Sequence, residues 1–359
     1  MPANIGYATT DARSPLTPFP FDRDPLGAED VRIEIAFCGV CHSDVHQARD
    51  EFGEGPLSTN FPCMPGHEIV GEVVEIGADV SRHVVGDRVG VGCMVYWGAE
   101  DQRSVTAEQY QEPPAVFTYN GLDPDSGTVT FGGYSDEIVV NEHFVLKIPD
   151  AVSSQAAAPI LCAGVTTWSP LKHWQIGSGS TVGIAGLGGL GHLAVQLAKA
   201  RGADKVVVLT TSPDKRDAAL ALGADDVLDM TDHAAVEAAS GSLTFILSTI
   251  PTRFDMKPYL SLIAHDGALV TVGMLEPVAP EGIDFGTVSM KRLTIAGSLI
   301  GSIAETQEVL DFCAEHEIAA EVEIIDITTI NDAFDRMVDE DVRFRYVIDN
   351  STLRTGKDV

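Results

Sequence analysis

The run Gly186-Leu-Gly188-Gly-Leu-Gly191 constrains this chain more than any other feature. It follows Thr181-Val-Gly-Ile-Ala185, which reads as a buried strand. It leads into Gly189 to Arg201, where apolar residues recur at helical spacing. A strand, a glycine turn and a helix in that order begin a β-α-β unit that binds a dinucleotide. Gly186 allows the tight turn, Gly188 lets a pyrophosphate approach the backbone, and Gly191 lets helix pack close to strand. Leu187, Gly189 and Leu190 complete the cofactor-binding turn, and the pyrophosphate is expected against the amides of the helix N-terminus. The rhythm continues with a strand at Lys205–Thr210, a helix at Pro213–Leu222, and strands at Thr244–Ser248 and Ala268–Val272. Repeated units of this kind predict an α/β fold with a doubly wound parallel sheet, the Rossmann arrangement.

The first 150 or so residues have a different texture. Short β-type runs, Val31–Phe37, Ile69–Ile76 and Arg88–Gly92, are punctuated by glycine and proline. This pattern suits an antiparallel, barrel-like unit. With 359 residues the chain can hold two domains, each with its own core. The expected division is 153–297 for the nucleotide domain, with 1–152 and 298–359 forming the other. A helix at Ile303–His316 and a strand at Arg345–Ile348 are expected in the returning segment.

Bulk properties exclude several partners. The chain carries 53 acids and 23 bases, a net charge of −30, which repels nucleic acid and anionic membranes. No apolar run approaches the roughly 18 residues of a membrane span. Met1–Pro20 lacks a basic segment followed by an apolar one, so a cytoplasmic location is expected. Six cysteines are scattered along the chain, which in a reducing compartment favours metal binding or burial over disulfides.

The cofactor's phosphate pattern follows from the second strand. An acid about 20 residues past the glycine run would bind a ribose 2′-hydroxyl. Here the strand tip is Thr210-Thr211-Ser212, followed by Pro213-Asp214-Lys215-Arg216. Thr211 and Ser212 are neutral; Ser212 can donate to a 2′-phosphate, and Lys215 and Arg216 add positive charge. NADP(H) is therefore favoured over NAD, with Asp214 the one contrary residue.

A second constellation carries chemistry. Cys41, His67, Glu68 and Cys162 offer two thiols, an imidazole and a carboxylate, a donor set that suits a tetrahedral zinc ion. Their surroundings are Cys38-Gly-Val-Cys41-His-Ser-Asp-Val-His46, Pro65-Gly-His67-Glu68 and Leu161-Cys162-Ala-Gly-Val-Thr166-Thr167. Together with the glycine run these motifs resemble the zinc-dependent medium-chain alcohol dehydrogenases. The nearest likeness is the cinnamyl-alcohol-dehydrogenase type, whose bacterial members are broad aldehyde reductases. It extends from about residue 25 to 350 and includes Gly223-Ala-Asp-Asp226, Gly297-Ser-Leu-Ile-Gly301 and Glu305-Thr-Gln-Glu-Val-Leu-Asp-Phe-Cys-Ala314.

The resemblance implies a GroES-like catalytic domain beside the Rossmann domain. It implies reversible hydride transfer between NADP(H) and primary alcohols or aldehydes, aromatic or medium aliphatic. Cys41, His67 and Cys162 would hold a catalytic zinc, with Glu68 as an exchangeable fourth ligand and Asp44 bonded to the other nitrogen of His67. Ser43, the cofactor ribose and His46 would carry the proton out. Thr166, Thr249 and Gly273 would touch the nicotinamide, and Ser298, Leu299 and Ile300 would lie near its carboxamide. Arg345 matches a basic position of the family whose contact the sequence leaves open. A homodimer is implied as well.

Two departures stand out. The family commonly holds a second, structural zinc with four cysteines, whose register here falls on Gly98, Asp101, Ser104 and Glu112. No cysteine lies between Cys93 and Cys162, so one zinc per chain is expected, in a lobe that packing alone would hold or that is left mobile. The segment Asp50–Asn60 also looks longer than usual, which bears on the substrate mouth. Phe52, Tyr96, Trp97 and Phe117 are candidate pocket walls. Three alternatives remain: a zinc-free quinone reductase of the same fold, a non-catalytic protein on that scaffold, and a haem carrier suggested by Cys38-Gly-Val-Cys41-His42. The first lacks the cysteine and Gly-His-Glu ligands; the last leaves the glycine run unexplained.

Overall fold

A computed structural model describes residues 4–55, 57–96, 108–110, 115–123, 127–273, 283–339 and 344–354. The chain forms two units, Met1–Cys162 with Ser302–Val359, and Ala163–Gly301.

In the first unit the strand Asp30–Gly39 is central. Val31, Ile33 and Ile35 alternate inward, as a half-buried strand requires. Its neighbours are Ile69–Ile76, Glu137–Asn141 and Arg345–Asp349, all antiparallel to it. The sheet extends to Val322–Asp326 at one side and to Arg88–Val91 and Val145–Lys147 at the other, seven strands in all. The expected β-rich unit is therefore present, completed by the returning C-terminal segment. The helix Ser154–Pro159 packs on the strands 30–39, 69–76 and 345–349. That packing draws residues 153–162, expected in the nucleotide domain, into the first unit. Residues 298–301 fall in the second unit instead, as an extension of its last strand.

The second unit is a six-stranded parallel sheet. Its order is Asp226–Asp229, Lys205–Thr210, Thr181–Ala185, Leu243–Ser248, Ile263–Thr271 and Thr294–Gly297. Numbered along the chain this is 3-2-1-4-5-6, the doubly wound order. The strand Lys205–Thr210 is buried from Val206 onward, as expected of a parallel strand covered on both faces. One face is closed by Leu209, Ile246 and Leu269 packing against Met256, Tyr259 and Leu260. Burying a residue of this size contributes roughly 1.5–3 kcal/mol. The order reverses between Thr181–Ala185 and Leu243–Ser248, and ligands of such sheets sit beyond the carboxyl ends of the strands there. Among the described residues no helix is long and apolar enough to cross a membrane.

Candidate active site

The first unit brings Cys41, His67, Glu68 and Cys162 together. Their donor atoms all lie within 4.8 Å of one another, and all four residues are buried. Each arrives for a local reason. Cys41 is the N-cap of the helix His42–Ala48, and Asp44 at its third position accepts from the Cys41 N–H at 2.8 Å. That carboxylate cap fixes the direction in which the chain enters the helix. His67 and Glu68 follow Gly66, whose φ of +107° suits only glycine. Cys162 lies on the π-helical turn Ile160–Gly164, just after Pro159, which has no N–H to continue the α-helix. Such turns commonly aim functional side chains.

Asp44 organises the cluster from behind. Its side chain is fully buried and accepts four hydrogen bonds: from Cys41 N, from Gly66 N at 3.2 Å, from Tyr134 OH at 3.1 Å and from His67 Nδ1 at 3.1 Å. With the proton held on Nδ1, Nε2 is free, and it lies 3.2 Å from the Cys162 sulfur. Burial alone would push the His67 pKa down, but the Asp44 carboxylate and the neighbouring cysteines together outweigh it and raise it well above the usual range. Cys41 is pulled below its ordinary range by the Cys162 hydrogen bond, while Cys162, its donor, is pushed above.

Glu68 has zero exposure, and burial pushes its carboxyl up to about 7 against the pull of Arg345. Its Oε1 pairs with Arg345 Nη2, the contact the sequence left open. Its Oε2 is buried without a hydrogen-bond partner among the described residues. That oxygen presses on Gly39, where a Cβ would stand 1.9 Å away. Two sulfurs, one ring nitrogen and a buried carboxylate oxygen with no hydrogen-bond partner among the described residues fit a zinc ion.

The remaining residues expected here fall nearby or further out. The Cys41 thiol donates to the Ser43 hydroxyl at 3.7 Å. His46 is on the same helix, more exposed, with Nδ1 2.6 Å from Glu51 Oε2 and its ring 5.7 Å from that of Phe52. Thr59 ties the Asp50–Asn60 segment back, accepting from Gln47 Nε2 at 2.8 Å and donating to Gln47 O at 2.7 Å. Tyr96 and Phe117 lie on the small sheet Met94–Tyr96 with Val116–Phe117. Sequence reasoning missed Tyr119, whose ring is 5.6 Å from that of His67, and Tyr134. Neither sits in a spacing pattern that singles it out. Trp97, Gly98, Asp101, Ser104 and Glu112 lie outside the described residues.

The second unit collects most of the expected cofactor residues at the carboxyl ends of its strands. Gly186 has φ +91° and ends the first strand. A Cβ on Gly191 would stand 2.2 Å from the Gly186 carbonyl oxygen, so helix and turn are in contact there. Gly188 faces open space, as a close approach by phosphate requires. The Gly191–Ala200 helix follows directly. Leu187 is buried beneath the turn, Gly189 is half-buried on it, and Leu190 is the helix N-cap. Thr249 crosses to the first strand, donating to Ala185 O at 3.0 Å through its hydroxyl. Gly273 follows the fifth strand, and a Cβ there would meet Ile250 O at 2.3 Å. Ser298 donates its N–H to Thr271 O at 3.0 Å. Leu299 is partly exposed, and Ile300 has φ +36°, a strained setting for a β-branched residue. Thr166 Oγ1 is buried without a partner among the described residues.

The second strand's tip is arranged differently from expectation at one position. Thr211 is exposed, and Ser212 donates its N–H to Thr210 Oγ1 at 3.0 Å while its hydroxyl has no partner among the described residues. Lys215 makes no ion pair among them. Arg216, however, turns to the edge strand, reaching Val227 O at 3.1 Å and Asp226 Oδ1 at 3.2 Å. Its helix begins beside that strand, so its cation is already engaged.

Comparison with known proteins agrees with both halves. Residues 27–150 match the alcohol dehydrogenase GroES-like domain, and 189–315 match the zinc-binding dehydrogenase domain. The chain is 47% identical to NADP-dependent alcohol dehydrogenase C 1 of Mycolicibacterium smegmatis over 97% of its length and 98% of the relative's. It is 46% identical to aldehyde reductase YahK of Escherichia coli, over 95% and 97%. Among solved structures, a cinnamyl alcohol dehydrogenase from Sorghum bicolor superposes with a TM-score of 0.91 at 38% identity, covering 97% of this chain and 98% of that one. A Helicobacter pylori CAD complexed with NADP(H) gives 0.86 at 36%, with the same coverage.

Proposed function

Because the chain belongs to the zinc-binding alcohol dehydrogenases, we propose that it interconverts primary alcohols and aldehydes with NADP(H), using one catalytic zinc per chain. The observation that carries the reading is the buried quartet, in which one Glu68 oxygen has no hydrogen-bond partner among the described residues, in a chain that also has the glycine-turn unit. A bound zinc supplies a Lewis acid that stabilises negative charge on the substrate oxygen, and NADP(H) supplies or accepts the hydride. Cys41, His67 and Cys162 hold the metal. Glu68 is the exchangeable partner, anchored by Arg345 through its other oxygen.

Asp44 keeps the His67 proton on Nδ1, so Nε2 stays a ligand. Ser43 stands beside Cys41 and takes the proton from the reacting alcohol, or returns it to the product. His46, on the exposed side of the same helix, exchanges it with water. Ser212 and Lys215 receive the 2′-phosphate, a role supported by the NADP dependence named for the Mycolicibacterium smegmatis relative. Arg216 is left out of that contact by its pairing with Asp226.

The test is metal analysis paired with NADPH and NADH oxidation over a panel of aromatic and medium aliphatic aldehydes. One zinc per chain and faster NADPH turnover are expected. A content near two refutes the single site, and turnover retained by Cys41→Ser refutes the mechanism. The proposed homodimer, which rests on family resemblance, is checked by light scattering, and the cytoplasmic location by cell fractionation.

A further inference from the structure

The run Phe131-Gly-Gly-Tyr-Ser135 forms a strap across the segment that leads into His67 and Glu68. The N–H groups of Gly132, Gly133 and Tyr134 donate to Met64 O at 2.9 Å, Gly66 O at 2.9 Å and Pro65 O at 3.1 Å, the three residues before His67. The two glycines permit that approach. A Cβ on Gly132 would stand 2.4 Å from both Gly66 O and Pro65 O, and one on Gly133 would stand 2.8 Å from the Cys38 sulfur. The strap also carries Tyr134, whose hydroxyl bonds Asp44, the acceptor for His67 Nδ1. Arg23 holds the strap from its other side. Its guanidinium donates to Phe131 O at 2.7 Å, Gly132 O at 3.0 Å, Ser135 Oγ at 2.7 Å and Glu137 O at 2.8 Å, and its Cζ lies 4.8 Å from the centroid of the Phe21 ring. The other carbonyls of the run are taken by the Tyr7 N–H at Tyr134 and by Asn350 Nδ2 at Gly133 and Ser135, each at 2.8 Å.

We propose that Arg23 is a positioning residue for the metal centre, fixing His67 and Asp44 through this strap. All four of its acceptors lie outside the quartet, so its influence is indirect. A planar guanidinium has five donors in a fixed fork and can meet four acceptors at once; a lysine ammonium has three donors on one atom and cannot. Without the fork, the strap loosens at Phe131 and Gly132. Two consequences then reach the site. Met64 O, Pro65 O and Gly66 O lose their fixed donors, so the Gly66 turn, with its φ of +107°, is free to redirect His67 and Glu68. Tyr134 also withdraws from Asp44, which then holds the His67 ring less firmly in direction. This inference rests on the proposed metal site.

The experiment uses the full-length protein, stripped with a chelator and reloaded with zinc or cobalt(II). Parent and Arg23→Lys are compared by the visible spectrum of the cobalt form and by zinc affinity in competition with a chromogenic chelator. Urea unfolding of the stripped protein and a fluorescence titration with NADPH complete the set. The variant is expected to bind zinc about tenfold more weakly and to show a displaced, weakened cobalt band. Its NADPH affinity should stay within about twofold of the parent's, because the glycine turn belongs to the other unit. Unchanged zinc affinity with an unchanged cobalt spectrum overturns the proposal, even where urea unfolding is easier, since Arg23 is then structural alone. Zinc and NADPH binding that weaken together overturn it as well, since the loss is then general. Where Arg23→Lys does not fold, Ser135→Ala, which removes one of the four acceptors, decides: about threefold weaker zinc binding is expected, and no change overturns the proposal. A parent that takes up neither metal overturns the metal reading, and this inference with it.

Discussion

Asp44→Asn tests the cluster's support with almost no change in shape. The amide oxygen can replace Oδ1, keeping Gly66 N and His67 Nδ1 as donors. The amide nitrogen then faces the Cys41 N–H across 2.8 Å, donor against donor, while the Tyr134 hydroxyl can rotate to accept. One hydrogen bond to a charged acceptor, about 1.5–3 kcal/mol, is lost, and one buried N–H is left unpaired at about 1–3 kcal/mol. The sum is roughly 2.5–6 kcal/mol in the first unit. The neutral amide also holds the His67 Nδ1 proton less firmly. Changing a partner behind a metal ligand typically lowers affinity 10–100-fold, about 1.4–2.8 kcal/mol. Zinc affinity is measured by competition with a chromogenic chelator, and stability by urea unfolding of chelator-stripped protein. A variant that binds zinc within about threefold of the parent and unfolds at the same urea concentration would refute the argument.

Three further outcomes follow from named contacts. Arg345→Leu removes the pull that offsets burial, so Glu68 takes up a proton at neutral pH, and the broken buried pair should cost about 3–5 kcal/mol by urea unfolding, partly recovered in the double variant with Glu68→Gln. Gly188→Ala, in open space, should leave thermal unfolding unchanged yet weaken NADPH binding in a fluorescence titration, whereas Gly191→Ala should impair both because its Cβ meets Gly186 O at 2.2 Å. Lys215→Ala should raise the KM for NADPH about tenfold with little change for NADH, and Arg216→Ala should change neither by more than about twofold; an equal effect of the two would show that Arg216 leaves Asp226 to meet the cofactor.

The doubly wound sheet was legible because its signals are local. A strand, the turn Gly186–Gly191 and a helix are consecutive, and each glycine's role follows from neighbours a few residues away. The same holds for Cys41 and Asp44, whose capping relation spans three residues, and for His67 behind Gly66. Helix limits moved by a residue or two, as with Gly191–Ala200, because end residues lack a full set of helical partners.

What the chain order hides is any contact made by sheet register. Arg345 meets Glu68 across 277 positions because the strand Arg345–Asp349 pairs Val347 with Gly39, and Gly39 in turn donates to Glu68 O. Tyr134 reaches Asp44 over 90 positions, and Arg216 is drawn to Asp226 by the edge strand beside it. The sequence by itself determined the fold class and the donor types, since those depend on periodicity and on side-chain chemistry. Only the tertiary structure decided which oxygen of Glu68 Arg345 takes, and that Tyr134 stands behind Asp44, because both depend on packing between segments that the sequence keeps far apart.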